Sequence, residues 1–293
     1  MSAQRKADSK FPSMFSVKQK IFIARMINRA LRLVRRDMHA AVRRRGLNWA
    51  LDLNEGIDLS IYLLGAYEPR TLAAYTPLIH PGAVVFDIGA NIGAHTLHFA
   101  QLAGPQGRVF AFEPTDFACA KLRANLALNP ALARSISVHQ LFLVAHSTDA
   151  LPASLPSSWP IARRQEDLDP RHLGRPKALV AATAMTADDF CSAHGITRID
   201  FVKLDVDGHE YSVLQGFRSS LARFRPSILI ELAPFIYEGT NAREFDSMIA
   251  LLAGLGYHFT DANTGRALSS DADVLRGTIT PGAGINALLR HAT

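Results

Sequence analysis

Residues 83–103 constrain this chain more than any other stretch. Ala83–Gly89 (AVVFDIG) is apolar on both alternating faces, the pattern of a strand buried inside a parallel sheet. It runs directly into Gly89-Ala90-Asn91-Ile92-Gly93, and His95–Ala103 then follows a helical period. A parallel strand cannot return through a tight hairpin; it needs a crossover, usually a helix. The unit therefore commits the chain to an α/β architecture, with helices on the faces of a sheet.

The alternation recurs downstream. Further strands are expected at Arg108–Phe112, Ser135–Val144, Ile199–Val206, Ser227–Leu232, Tyr257–Thr260 and Ile285–Leu289, which makes seven with the first. Helices are expected at Asp116–Asn129, 186–195, Glu210–Arg223 and 241–254. Residues 151–177, rich in Pro, Ser and Arg without periodicity, read as an insertion or lid. Residues 47–80 alternate like short strands and turn helical around Tyr67–Ile79, forming an approach segment or cap before a main domain over 81–293.

An open sheet of this kind binds its ligand beyond the carboxyl ends of the strands, at a point where strand order reverses. Gly89 and Gly93 permit close backbone approach there, and the following helix offers unpaired N–H groups. The next strand ends at Glu113, 24 residues after Gly89, where a carboxylate can accept hydrogen bonds from two ribose hydroxyls. A dinucleotide needs GxGxxG and a pyrophosphate beside it. Here the turn is preceded by Asp87, an acid that a pyrophosphate would disfavour and that suits a cationic, amino-acid-bearing ligand such as S-adenosylmethionine.

Four segments, VVFDIGANIGAHT (84–96), AFEP (111–114), FVKLDVDGHEYSVLQGF (201–217) and ILIEL (228–232), resemble the FkbM family of S-adenosylmethionine-dependent methyltransferases. WALDLNEGIDLSIYLLGAYE (49–68) resembles the stretch upstream of that family's first motif. The resemblance covers roughly residues 47–260 and implies a class I methyltransferase: a Rossmann-like, mostly parallel sheet of about seven strands. It implies O-methylation of a hydroxyl on a sugar, glycolipid or secondary metabolite. By position it implies that Asp87, Gly89, Asn91 and Gly93 meet the methionine end of the cofactor and that Glu113 holds the ribose. Asp205 would line the reaction site, and Glu68 would approach the same cleft. The family's Ala-Leu-Ser-Asp after the third strand is replaced by Val144-Ala145-His146-Ser147-Thr148-Asp149, which leaves Ser147 as the candidate near the adenine.

A sugar hydroxyl attacks a methyl group only if its proton is removed as the bond forms. Candidate bases gather after the fourth and fifth strands: Asp205, Asp207, His209, Glu210 and Glu231, with Asp205, His209 and Glu231 taken as the catalytic set. An imidazole titrates near neutrality, which favours His209; Asp205 is the better-placed carboxylate, with binding of the substrate or of the cofactor's amine as its alternative role. Four carboxylates could also hold a hard divalent ion. The spacing of Asp207 and Glu210 equally suits a helix cap, and no metal is assigned. Lys203, inside a buried strand, needs a carboxylate partner, and Glu231 on the adjacent strand is the expected one. His95 and His98 read as packing or surface residues.

Charge is divided unevenly. Residues 1–46 hold thirteen of the 32 Lys and Arg but two of the 26 acids, a net +11 that leaves the rest of the chain at −5. Val17, Ile21, Ala24, Ile27, Leu31, Val34 and Met38 recur at helical spacing beside Lys18, Arg25, Arg29, Arg32, Arg36 and Arg43, which predicts one basic amphipathic helix ending near Gly46. Two readings stay open for residues 16–46: docking on an anionic membrane surface, RNA or an acidic glycolipid, or packing on the body with solvated arginines. Two separate cysteines and the lack of an 18-residue apolar run suit a cytoplasmic protein, peripheral at the inner membrane face under the docking reading. The partner is then a small-molecule or glycan acceptor. A nucleic-acid methyltransferase is the alternative, opposed by the acidic body and by the absence of an Asn/Asp-Pro-Pro-aromatic motif; a non-catalytic S-adenosylmethionine-binding module is the third.

Overall fold

The computed structural model describes residues 17–161, 174–239 and 242–291. The chain opens with α1 (Val17–Val34), followed by an antiparallel hairpin of β1 (His39–Arg44) and β2 (Leu47–Asp52). The expected helix thus stops at Val34 instead of reaching Gly46. Arg45 and Gly46 both take positive φ, 48° and 82°, the conformation of a two-residue turn whose twist matches a hairpin. Leu47, Trp49 and Leu51 alternate into the core and pack with Met38 against Ala90, Ile92, Ala94 and Leu97, so the hairpin backs the glycine turn. Residues 1–16, part of the expected N-terminal helical extension, lie outside the described residues.

Next come α2 (Gly56–Leu64) and α3 (Pro69–Tyr75), then β3 (Val84–Ile88), α4 (Thr96–Ala103), β4 (Arg108–Phe112), α5 (Asp116–Ala127), α6 (Pro130–Ala133) and β5 (Ile136–His139). The third expected strand is divided: after Gln140 the chain leaves the main sheet as β6 (Leu141–Leu143), which pairs with β9 (Thr183–Met185). Between them, the insertion forms an antiparallel hairpin of β7 (Ser154–Ser158) and β8 (Arg175–Ala178). Its residues 162–173 lie outside the described ones.

The remainder is α7 (Ala187–Ala193), β10 (Phe201–Leu204), α8 (Glu210–Gln215), α9 (Arg218–Phe224), β11 (Ser227–Leu232), α10 (Ala242–Gly254), β12 (Tyr257–Asp261), α11 (Ala272–Thr278) and β13 (Ile285–His291). The helix expected over Glu210–Arg223 is therefore two, parted at Gly216-Phe217.

The main sheet has seven strands in the order β12-β13-β11-β10-β3-β4-β5, with only β13 antiparallel to its neighbours. That is the mostly parallel, Rossmann-like sheet that the resemblance implies. One face is sealed by an aromatic cluster of Phe86, Phe110, Phe112, Phe190 and Phe217; the other by Tyr75, Phe99 and Phe201. From β3 the chain moves outward to β4 and later returns to β10 on the opposite side. The switch point falls between β3 and β10, and Asp87, Gly89 and Asp205 all sit at or beside it.

Candidate active site

Above the carboxyl ends of β3, β4, β10 and β11 lies a cavity of about 680 Å³. Its walls include Glu68, Gly89, Asn91, Glu113, Asp205, Asp207, His209 and Glu231, so eight of the residues singled out from sequence meet there. Asp87 and Gly93 lie beneath the lining. Ser147 does not reach it: the side chain is exposed, donates to Asp189 Oδ2 at 2.5 Å and accepts from Thr186 N at 3.2 Å. The chain has already left the sheet at β6, so the wall there is made by Leu141, Phe142 and Leu143. Their apolar side chains carry no family motif.

The turn is held by its own geometry. Gly89 has φ of 79°, and a Cβ built on it would stand 1.8 Å from the Asp205 carbonyl oxygen. Gly93 has φ of 86°, and its Cβ would meet Leu122 at 2.5 Å. These glycines serve the packing of β3 on β10 and of the turn on α5, as well as leaving the backbone open to a ligand. Asn91 also takes positive φ, 49°, and its N–H donates to Glu113 Oε2 at 3.0 Å.

Glu113 Oε1 accepts from Thr115 N at 2.9 Å and Thr115 Oγ1 at 2.6 Å. Thr115 Oγ1 lies 2.8 Å from Ser157 Oγ on β7, and Asn91 Nδ2 donates to the Ser157 carbonyl at 3.4 Å. The insertion hairpin is thereby tied to Glu113 through Thr115 and Asn91. Thr115 and Ser157 had no sequence signal beyond the helix-capping threonine. Burial pushes the Glu113 carboxyl up, against the pull of its Thr115 and Asn91 hydrogen bonds.

Lys203 lies in register with Asp87 on the neighbouring strand. Its Nζ donates to Gly89 O at 2.8 Å and lies 3.2 Å from Asp205 Oδ2 and 3.9 Å from Asp87 Oδ1. These two aspartates are its ion-pair partners; the expected pairing with Glu231 is replaced by them because register favours the β3 side. Burial draws the Lys203 ammonium down, but Asp205 and Asp87 outweigh it and the net shift is upward. Asp87 Oδ2 accepts from Thr96 Oγ1 at 2.5 Å, while buried Oδ1 has no hydrogen-bond partner.

Carboxylate oxygens of Asp205, Asp207 and Glu231 lie within 4.8 Å of one another. Burial, then the charges of Asp205 and Asp207, drive the Glu231 carboxyl well above the usual range. Glu68 takes φ of 45° and accepts from Asn286 Nδ2 at 2.5 Å; Asn286, from β13, is a wall residue that no motif announces. Glu210 is not in the wall. It accepts from Val206 N at 3.0 Å, Gly208 N at 3.1 Å and the Tyr237 hydroxyl, so it secures the loop after β10. The residue at the N-cap of α8 is His209, not Asp207. His98 packs beside Trp49, while His95, bonded to the Tyr75 hydroxyl at 3.1 Å, is buried and also lines the cavity.

The lining carries five carboxylates, Glu68, Glu113, Asp205, Asp207 and Glu231, against one ammonium, Lys203. Such a field favours a cationic ligand and opposes a pyrophosphate or a nucleic-acid backbone. With the orphaned Asp87 oxygen and the Glu113 carboxylate, this donor set fits a sulfonium cofactor bearing an amine and a ribose.

The chain is similar to several known proteins. "2-O-methyltransferase NoeI" of Sinorhizobium fredii is 29% identical over 159 residues, 50% of this chain and 61% of that protein. "31-O-demethyl-FK506 methyltransferase FkbM" of Streptomyces tacrolimicus is 32% identical over 158 residues, 47% of this chain and 60% of that protein. The chain thus spans about three fifths of the length of these relatives. A solved FkbM methyltransferase from Methylobacillus flagellatus KT superposes with a TM-score of 0.42 at 15% identity, over 75% of this chain and 50% of that one. Residues 87–259, more than half of the chain, match the family model described as the methyltransferase FkbM domain, and the protein belongs to the FkbM methyltransferase family.

Proposed function

We propose that this protein is an S-adenosylmethionine-dependent O-methyltransferase acting on a hydroxyl of a sugar, glycolipid or secondary metabolite. The excess of carboxylates in the lining is the observation that carries the reading. Both relatives described above are named for O-methylation. When bound, the cofactor supplies an electrophilic methyl group on a sulfonium.

Glu113, fixed by Thr115 and Asn91, holds the ribose hydroxyls; Asn91 and the Gly89 backbone meet the methionine end, with Glu68 at the same wall. Asp205, its Oδ2 held 3.2 Å from Lys203 Nζ at the cavity wall, takes the acceptor's proton as the new oxygen–carbon bond forms. Glu231 hydrogen-bonds the acceptor, and His209 shares that wall. The test is incubation of the full chain with methyl-labelled S-adenosylmethionine and fractionated cell extract. Label in a base-stable ether supports the reading; label in nucleic acid, or none in any fraction, overturns it.

The α1 helix is assigned to an anionic membrane surface on the cytoplasmic side. Ala24, Ile27 and Leu31 pack on the body, and Asn28 Nδ2 donates to Leu53 O at 2.7 Å, so the packing reading accounts for one face. Phe22, Met26 and Leu33 are exposed on another, and among the described residues arginines 25 to 45 make no ion pair with a carboxylate. No helix of the described residues is long and apolar enough to cross a membrane. Binding to phosphatidylglycerol vesicles that fails with phosphatidylcholine alone is expected; equal binding to both contradicts it.

A further inference from the structure

The cavity has two ends of opposite character. Its acidic end is the site described above. The ten lining residues supplied by α1 and α2 include one polar side chain, Ser60, whose hydroxyl already donates to Ala66 O at 3.3 Å. Ile27, Ile57 and Ile161 line the interior of this half, and Trp159 from the insertion covers it. At its rim Ile23, Leu63 and Leu64 are 44%, 44% and 60% exposed, so the apolar surface continues from the chamber to the outside.

We propose that this half binds an aliphatic chain on the acceptor, so that the methylated hydroxyl belongs to the polar head of an amphiphile. The inference rests on the transfer reaction proposed above and names the class of its substrate. A bare saccharide placed between α1 and α2 would lose water without gaining hydrogen-bond partners. An alkyl chain there would exchange water for Ile and Leu side chains, tightening binding about fourfold for each methylene buried. The acidic end and the apolar end then read the two halves of one molecule. The chain enters along the exposed Ile23–Leu63–Leu64 rim, beside the face of α1 that carries the arginines.

The test titrates hexyl, octyl and decyl β-D-glucoside, each below its micellar concentration, into the full chain with S-adenosylmethionine present. Affinity is expected to rise about 16-fold from hexyl to octyl, by two methylenes at about fourfold each, with free glucose silent. Leu63→Asp and Ile23→Asp, both at half-exposed positions, should lose the dependence on chain length while binding S-adenosylmethionine as the unaltered chain does. Monoglucosyldiacylglycerol in phosphatidylcholine vesicles, which α1 is not expected to hold, forms a second arm: binding there that pure phosphatidylcholine lacks, with weak binding to free glucosides, assigns a bilayer lipid, and the reverse assigns a soluble amphiphile. A flat glucoside series with no vesicle binding overturns the proposal, as does a flat series in a chain that sediments as a dimer, which would give this face to a second copy. Loss of S-adenosylmethionine binding with the length dependence intact would instead overturn the transfer reaction.

Discussion

Replacing Lys203 by Met removes the one ammonium beneath the site and keeps the side chain's apolar length. Nζ lies 3.2 Å from Asp205 Oδ2 and 3.9 Å from Asp87 Oδ1. At an effective dielectric of about 20, these separations correspond to roughly 5 and 4 kcal/mol of Coulomb attraction, before the cost of burying the ammonium. Cutting one partner from a buried pair leaves uncompensated charge and costs about 3–5 kcal/mol net. Asp87 is fully buried, so it absorbs most of that cost by taking up a proton. An acid whose folded pKa is raised makes the folded state bind more protons, so stability falls as pH rises. Urea denaturation of Lys203→Met should therefore show a loss of about 3–5 kcal/mol at pH 8 and a smaller loss at pH 5. Adding Asp87→Asn should recover about 1–3 kcal/mol, the usual coupling of groups in one network. A loss below about 1 kcal/mol, or no recovery in the double variant, would refute this account of the buried triad.

Three further outcomes follow from the geometry. Gly89→Ala puts a methyl group 1.8 Å from the Asp205 carbonyl at a φ of 79°, and unfolding should become about 3 kcal/mol easier from clash and left-handed strain together. Asp205→Asn should lower kcat by about 10²–10⁴-fold, with a much smaller change in KM for the cofactor. Burial lifts the Glu55 carboxyl to about 7, and its Oε2 has no hydrogen-bond partner. The folded chain therefore loses stability between about pH 4.5 and 7, and Glu55→Gln should abolish that slope, raising Tm at pH 8 but not at pH 4 by about 2–4 °C once solvent screening is allowed for.

Much of this molecule is legible in its sequence because the relevant signals are local. The apolar run before Gly89, the acid at Glu113 and the succession of strands and helices along the chain each follow from pattern and spacing. The hairpin at 39–52 was hidden because Val34, Met38 and the arginines continue a helical period. Arg45-Gly46 between alternating residues was the overlooked turn signal. The site's remaining walls depend on long-range contacts that no local pattern encodes. Ser157 reaches Thr115 across 42 positions, and Asn286 reaches Glu68 across 218. Lys203 chose Asp87 and Asp205 over Glu231 through strand register, which only the assembled sheet determines. Ser147 stands at the surface because β6 leaves the sheet after Gln140 and carries the following loop outward.

Calorimetric titration of the purified chain with S-adenosylmethionine tests the central reading most directly, with Glu113→Ala and NAD as the two comparisons. Glu113 accepts three hydrogen bonds around the proposed ribose site, and its loss should weaken cofactor binding by at least about 1.5–3 kcal/mol, the value of a bond to a charged group. The account predicts binding of S-adenosylmethionine to the unaltered chain, at least tenfold weaker binding to Glu113→Ala, and no heat with NAD. Binding of NAD, or S-adenosylmethionine binding unmoved by Glu113→Ala, would contradict it.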